Sequence, residues 1–207
     1  MIPVAMQAEP LNFDVNVRQP GNSFLSLCPT PRGKDWDKHM YWQNCQDDLY
    51  RAYQGICAYT CEYIPKTTAK GSVDHFYPKS RHPNLAYEWS NYRLTSQKAN
   101  SNKSNHVGLA DPFVITCGWF TLEFPDCMIR SGDGLSSSDK ALAQTTIDIL
   151  KLNKDDLYVQ SRCDVILMYI NRDISLNYLW RYRPFIATEI HRQMLSIDDL
   201  KVLFKVN

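Results

Sequence analysis

Nowhere in this chain does an uninterrupted apolar run approach the roughly 20 residues that a membrane span requires. The opening MIPVAMQAEP carries neither a basic start nor a long apolar stretch, so no secretory leader is expected there. Both absences predict a cytoplasmic protein without a membrane partner. Net charge is nearly absent as well: 23 Lys and Arg against 22 Asp and Glu leave +1, so any nucleic-acid surface must be local. The seven cysteines are an odd number, scattered through a chain with ample core, which excludes a disulfide scaffold and predicts reduced thiols. Internal repeats and low-complexity tracts are missing too.

What is present is 207 residues, 44% of them apolar, enough for one good core and too few for two comfortable ones. Residues 1–54 read as an N-terminal arm and helix, 55–110 as a central core, and 111–207 as a β-ribbon and helical region packed with that core as one domain. Five prolines with Gly21 and Gly33 in residues 1–34 predict an extended arm with one short strand near 11–17. From Asp35, a candidate N-cap, to Tyr53, residues Trp36, Met40, Cys45, Leu49 and Ala52 fall at helical spacing.

GICAYTCEYI (55–64) and SVDHFY (72–77) have strand composition and predict a β-hairpin with a long loop. Residues 79–93 read as irregular with a short helical turn around LAYEWSN, and TSQKANSNKS as a short polar helix. DPFVITCGWFTLEFPDCMIR alternates around Gly118 and Pro125, as two short antiparallel strands would. A helix capped by Ser138 or Asp139, a second from Asp155, and one or two more over 185–205 complete the chain. The run YLWRYRPF (178–185) suits a protein-docking surface, the closure of a helical core, or nucleic-acid binding through Arg181 and Arg183.

The chemistry lies between 57 and 106. Asp74 and Asn100 offer hard oxygen donors of the kind that suit a magnesium ion retaining water and accepting phosphate oxygens. His75, next to Asp74, would then sit beside that phosphate, with an ordinary pKa near 6.5 suited to taking a proton from water. Neighbours on a strand point to opposite faces, so the two converge only if the chain bends, which Pro78 and the following loop make plausible. The reaction implied is metal-assisted phosphodiester hydrolysis.

Asp74-His75-Phe76-Tyr77-Pro78, then Asn91-Tyr92-Arg93-Leu94, then Asn100 and Lys103-Ser104 resemble the ββα-metal active site of the HNH endonucleases. The resemblance covers about residues 55–106. It implies an α+β protein with a ββα-metal (HNH) core, preceded by the N-terminal arm and helix and followed by the C-terminal β-ribbon and helices. By it, Asp74 and Asn100 are the metal ligands for Mg2+ or Mn2+, His75 is the general base, Asn91 orients the loop and the base, and Lys103 faces phosphate.

Many HNH proteins carry two CxxC pairs that hold a structural zinc. Here Cys57 and Cys61 are spaced by three residues, and Ser96 and Ala99 stand at the second pair's positions, so no structural zinc is expected. GICAYTCEYI, DPF and ALAQTTIDILKLN further resemble the small HNH proteins of the Septu and retron anti-phage systems. That resemblance implies the nuclease effector of a defence complex with a partner ATPase.

Between Lys66 and His106, Lys66, Lys70, Lys79, Arg81, Arg93, Lys98 and Lys103 face only Asp74 and Glu88. Lys79, Arg93, Lys98 and Lys103 are therefore the expected nucleic-acid contacts, positioning a duplex through phosphate without reading its sequence. The expected substrate is DNA. The rival readings are an RNA-cleaving enzyme of the same fold and a catalytically inactive HNH scaffold that binds nucleic acid or a protein.

Overall fold

The computed structural model describes residues 1–69 and 71–206; Lys70 of the basic segment lies outside the described residues. The architecture is α+β, with eight α-helices and two separate two-stranded antiparallel sheets among those residues. No helix is long and apolar enough to cross a membrane among the described residues. The chain divides into two compact units, one made of residues 5–58 and 64–107 and the other of 1–4, 59–63 and 108–207.

In the first unit, strand β1 (Gly71–His75) pairs antiparallel with β2 (Tyr92–Ser96), with Asp74 opposite Arg93 and His75 opposite Tyr92. The helix α3 (Gln97–Lys103) follows β2 without a linker. Ser96 closes the strand and starts the helix, its hydroxyl accepting the Ala99 amide at 3.2 Å as an N-cap. Val73, Leu94 and Ala99 are buried between these elements. The order is strand, long loop, strand, helix.

The predicted hairpin partner is a correction. Residues 55–64 form turns and isolated bridges, because Gly55 and Cys61 adopt left-handed φ of 71° and 56°, which breaks an extended run. Their strand-like composition instead reflects burial of Cys57, Ala58, Tyr59, Cys61 and Ile64. A single amide from Ala58 reaches the Leu94 carbonyl of β2 at 2.8 Å. The strand that does pair with β1 lies in the Tyr92–Ser96 stretch.

The arm is a second correction. A π-helical turn (Asp14–Arg18) runs directly into helix α1 (Gln19–Leu27), where an extended segment was expected. Pro20 sits in the first turn of α1, where its missing donor costs little, and the wider turn before it makes room for the ring. Gly21 is required there: a Cβ would stand 2.1 Å from the Tyr87 ring. The predicted helix over 35–53 is shorter than expected, with 3-10 turns at Gly33–Trp36 and Tyr41–Cys45 before helix α2 (Gln46–Ala52). The break between the turns lets Trp36 and Trp42 both enter the core.

In the second unit, β3 (Phe120–Glu123) and β4 (Met128–Ser131) form the predicted ribbon. Five helices follow: α4 (Ser137–Ile149), α5 (Asp156–Ile170), α6 (Leu176–Tyr182), α7 (Pro184–Arg192) and α8 (Ile197–Phe204). The cap of α4 is Ser136 and that of α5 is Asp155. Side chains tie ribbon to helices: Glu189 accepts the Leu122 amide at 2.9 Å, Arg162 donates to the Cys127 carbonyl at 2.7 Å, and Asn153 bonds both backbone groups of Ile129. Each satisfies a backbone group that burial would otherwise leave unpaired.

Candidate active site

β1 ends at His75, and the loop from Phe76 to Asn91 folds back over that end, its first amide donating to the Asn91 carbonyl at 2.9 Å. Asn91 clamps the loop. Its Oδ1 accepts the Tyr77 amide at 2.8 Å, while its Nδ2 donates to the carbonyls of Tyr77 at 3.1 Å and Leu85 at 3.0 Å. The next carbonyl, that of Ala86, accepts from both His75 Nε2 at 2.9 Å and the Tyr92 hydroxyl at 2.7 Å. Asn91 thus acts on the imidazole through the loop without lining the cavity beside it.

A carbonyl only accepts, so His75 carries its proton on Nε2 and leaves Nδ1 as an acceptor. Burial, and after it the Lys79 ammonium, push the imidazole pKa down to about 3, against the opposing pull of the Ala86 carbonyl. The ring is therefore neutral at pH 7, and a weaker base than the ordinary value near 6.5 expected from the sequence would make it. It is wedged edge-to-face between Trp42, at 4.9 Å and 88°, and Tyr92, at 5.2 Å and 82°.

Asp74, His75, Asn100 and Lys79 line one cavity of about 280 Å3, together with Ser72 and Trp42. Ser72 and Asp74 lie two apart on β1 and so share a face. Asn100, on α3, donates Nδ2 to Ser72 Oγ at 2.6 Å, which brings its amide to the same face as the carboxylate and leaves Oδ1 without a protein donor among the described residues. Both faces of the strand are reached because the cavity opens where β1 ends at His75.

The basic residues divide. Lys103 is fully buried, its Nζ 2.8 Å from Asp74 Oδ1 and 2.7 Å from the His75 carbonyl, so it faces the protein interior and not a phosphate. Arg93 is 3% exposed, its guanidinium over the Phe76 ring and bonded to the carbonyls of Ser90 and Tyr92. Neither is placed to meet a polymer outside. Lys98 stands half-exposed on α3, and Lys79 on the cavity wall.

No group of three or more His, Cys, Asp and Glu suited to a metal gathers among the described residues. A divalent ion here would draw on one carboxylate, of Asp74, and one amide oxygen, of Asn100, with water and substrate as the rest of its shell. That oxygen-only, incomplete donor set fits magnesium or manganese and not zinc. Cys57 is buried, its Sγ accepting the Ser96 amide, and Cys61 is buried likewise. Sequence reasoning missed Ser72 and Trp42; the two-residue spacing from Asp74 signals the first, and nothing local signals the second.

A strand pair followed at once by a helix, with Asp and His ending the first strand and Asn on the helix, is the arrangement of the ββα-metal HNH endonucleases. No family model matches the chain. It is 26% identical over 106 residues to the Septu protein PtuB of Bacillus thuringiensis, covering 51% of this chain and 40% of that protein. It is also 26% identical over 185 residues to a Vibrio cholerae protein named, provisionally, as the HNH endonuclease of retron Vc95, covering 82% of this chain and 85% of that one. The chain thus spans less than half the length of the Septu relative and most of the retron one. It resembles HNH endonucleases, and its relatives come from Septu and retron systems.

Proposed function

We propose that this protein is a divalent-metal-dependent HNH endonuclease that hydrolyses phosphodiester bonds of DNA, acting as the nuclease of an anti-phage defence complex with a partner ATPase. The observation that carries the reading is the convergence of Asp74, Asn100 and His75 on one cavity. Asp74 and Asn100 would hold the ion, which supplies charge stabilisation to the reacting phosphate. His75 Nδ1 takes the proton of the water that attacks phosphorus as the bond to the leaving oxygen breaks. The Ala86 carbonyl holds the ring in the tautomer that step needs, and Asn91 and Tyr92 hold the loop that carries Ala86. The defence setting and the ATPase rest on the Septu and retron relatives alone.

Incubation with supercoiled plasmid and Mg2+ or Mn2+, with tRNA alongside, tests the reading. Nicking or linearisation is expected from the wild type and a loss of about 100-fold or more from His75→Ala. Cleavage of tRNA alone would move the substrate to RNA. Failure of the wild type to cut either, alone and with any co-purifying ATPase, would contradict the enzyme.

A further inference from the structure

We infer that Lys79, its ammonium lying over the rings of both Trp36 and Trp42, is the cation that receives the substrate's backbone phosphate, and that Trp42 is a positioning residue for both Lys79 and His75. The inference rests on the phosphodiesterase reading and adds to it the group that binds the phosphate. Of the four basic side chains expected to contact nucleic acid, Lys79 alone lines the cavity with Asp74, His75 and Asn100. Lys103 is engaged by Asp74, and Arg93 by Phe76 and two carbonyls.

The ammonium of Lys79 lies 5.1 Å from the centre of the Trp42 ring and 5.7 Å from that of Trp36. Both tryptophans are buried, so the rings are fixed walls. An indole face attracts a cation without neutralising it, whereas a carboxylate would cancel its charge. No carboxylate makes a salt bridge to Lys79 among the described residues; Asp74 attracts it from further off while in direct contact with Lys103, so the ammonium stays available to an anion. Burial draws its pKa down, which marks an ammonium already stripped of much of its water and lowers the desolvation cost of taking up an anion. A phosphate in this cavity would meet Lys79 together with Asp74 and Asn100, which would hold the ion and its stabilising charge.

Trp42 touches both partners of the reaction. Its ring meets His75 edge-to-face at 4.9 Å and Lys79 at 5.1 Å, so one indole sets the spacing between base and phosphate cation.

Binding of a labelled DNA duplex to the full chain, followed by anisotropy across a salt series in chelator so that nothing is hydrolysed, reads the phosphate contact. Lys79→Met should lower the slope of log K against log[salt] by about 0.9, the release expected for one phosphate, and Lys79→Arg should retain it. Trp42→Leu should reduce the slope although it removes no charge, and Trp42→Phe should restore it; a structural role alone would not produce that pattern. An unchanged slope in Lys79→Met overturns the phosphate assignment even if Trp42 variants misfold, because residue 79 is partly exposed. A wild-type slope in folded Trp42→Leu overturns the positioning role. Wild-type binding with these slopes unmoved leaves the hydrolase reading standing, and no binding by the wild type overturns the phosphate assignment alone, the hydrolase reading being decided by cleavage with Mg2+ or Mn2+.

Discussion

Burying the Lys103 ammonium beside the Asp74 carboxylate takes both out of water, a desolvation cost offset by their contact at 2.8 Å and by the second bond from Nζ to the His75 carbonyl. The lysine therefore pins two consecutive residues of the site from behind. Lys103→Met should destabilise the protein by about 3–5 kcal/mol, because it leaves a buried carboxylate without its cation, and pairing it with Asp74→Leu should recover much of the loss. Denaturant unfolding of the single and double variants checks this; a loss under about 1 kcal/mol in the single variant would contradict it. At this scale the motif residues were legible, since Asp74, His75 and Asn100 follow one another in a recognisable order. The direction of Lys103 was not. It lies three residues after Asn100 and four after buried Ala99, on the same inward helix face, but a lysine is ordinarily assumed to face solvent.

At the scale of elements, the parts read correctly from sequence are those with local signals: the polar helix α3, the β3–β4 ribbon, and the helices α4 and α5, although the cap of α4 is Ser136 and not the expected Ser138 or Asp139. Those misread depend on distant contacts. β2 exists because it pairs with β1 across a loop of 16 residues, and no local pattern reveals which of two apolar runs wins that pairing. Helix α1 was hidden by Pro20 and Gly21, which read as breakers; in the fold the proline occupies the first turn and the glycine makes room for Tyr87. Tyr87 adjoins Ala86, whose carbonyl orients the imidazole, so α1 supports the loop that carries Ala86 from outside. Gly21→Ala should cost about 1–3 kcal/mol by overpacking and should lower any nuclease activity with it. Thermal unfolding is the check, and an unchanged midpoint would mean that the Tyr87 ring moves freely aside.

For the molecule as a whole, the proposed chemistry falls to the unit formed by residues 5–58 and 64–107, which holds every residue proposed to act on phosphate. The unit built mainly from residues 108–207 is a ribbon braced by helices, with its buried Glu189 and Arg162 occupied in holding that ribbon. A nearly neutral chain can still bind a polyanion because its positive charge is concentrated between residues 66 and 106. All of the proposed chemistry depends on one ion shared by Asp74 and Asn100. Calorimetric titration of the wild-type chain with Mn2+ tests that directly. The account predicts one site per chain, abolished by Asp74→Ala, weakened by Asn100→Ala and retained in His75→Ala; no binding, or binding indifferent to residues 74 and 100, would contradict it.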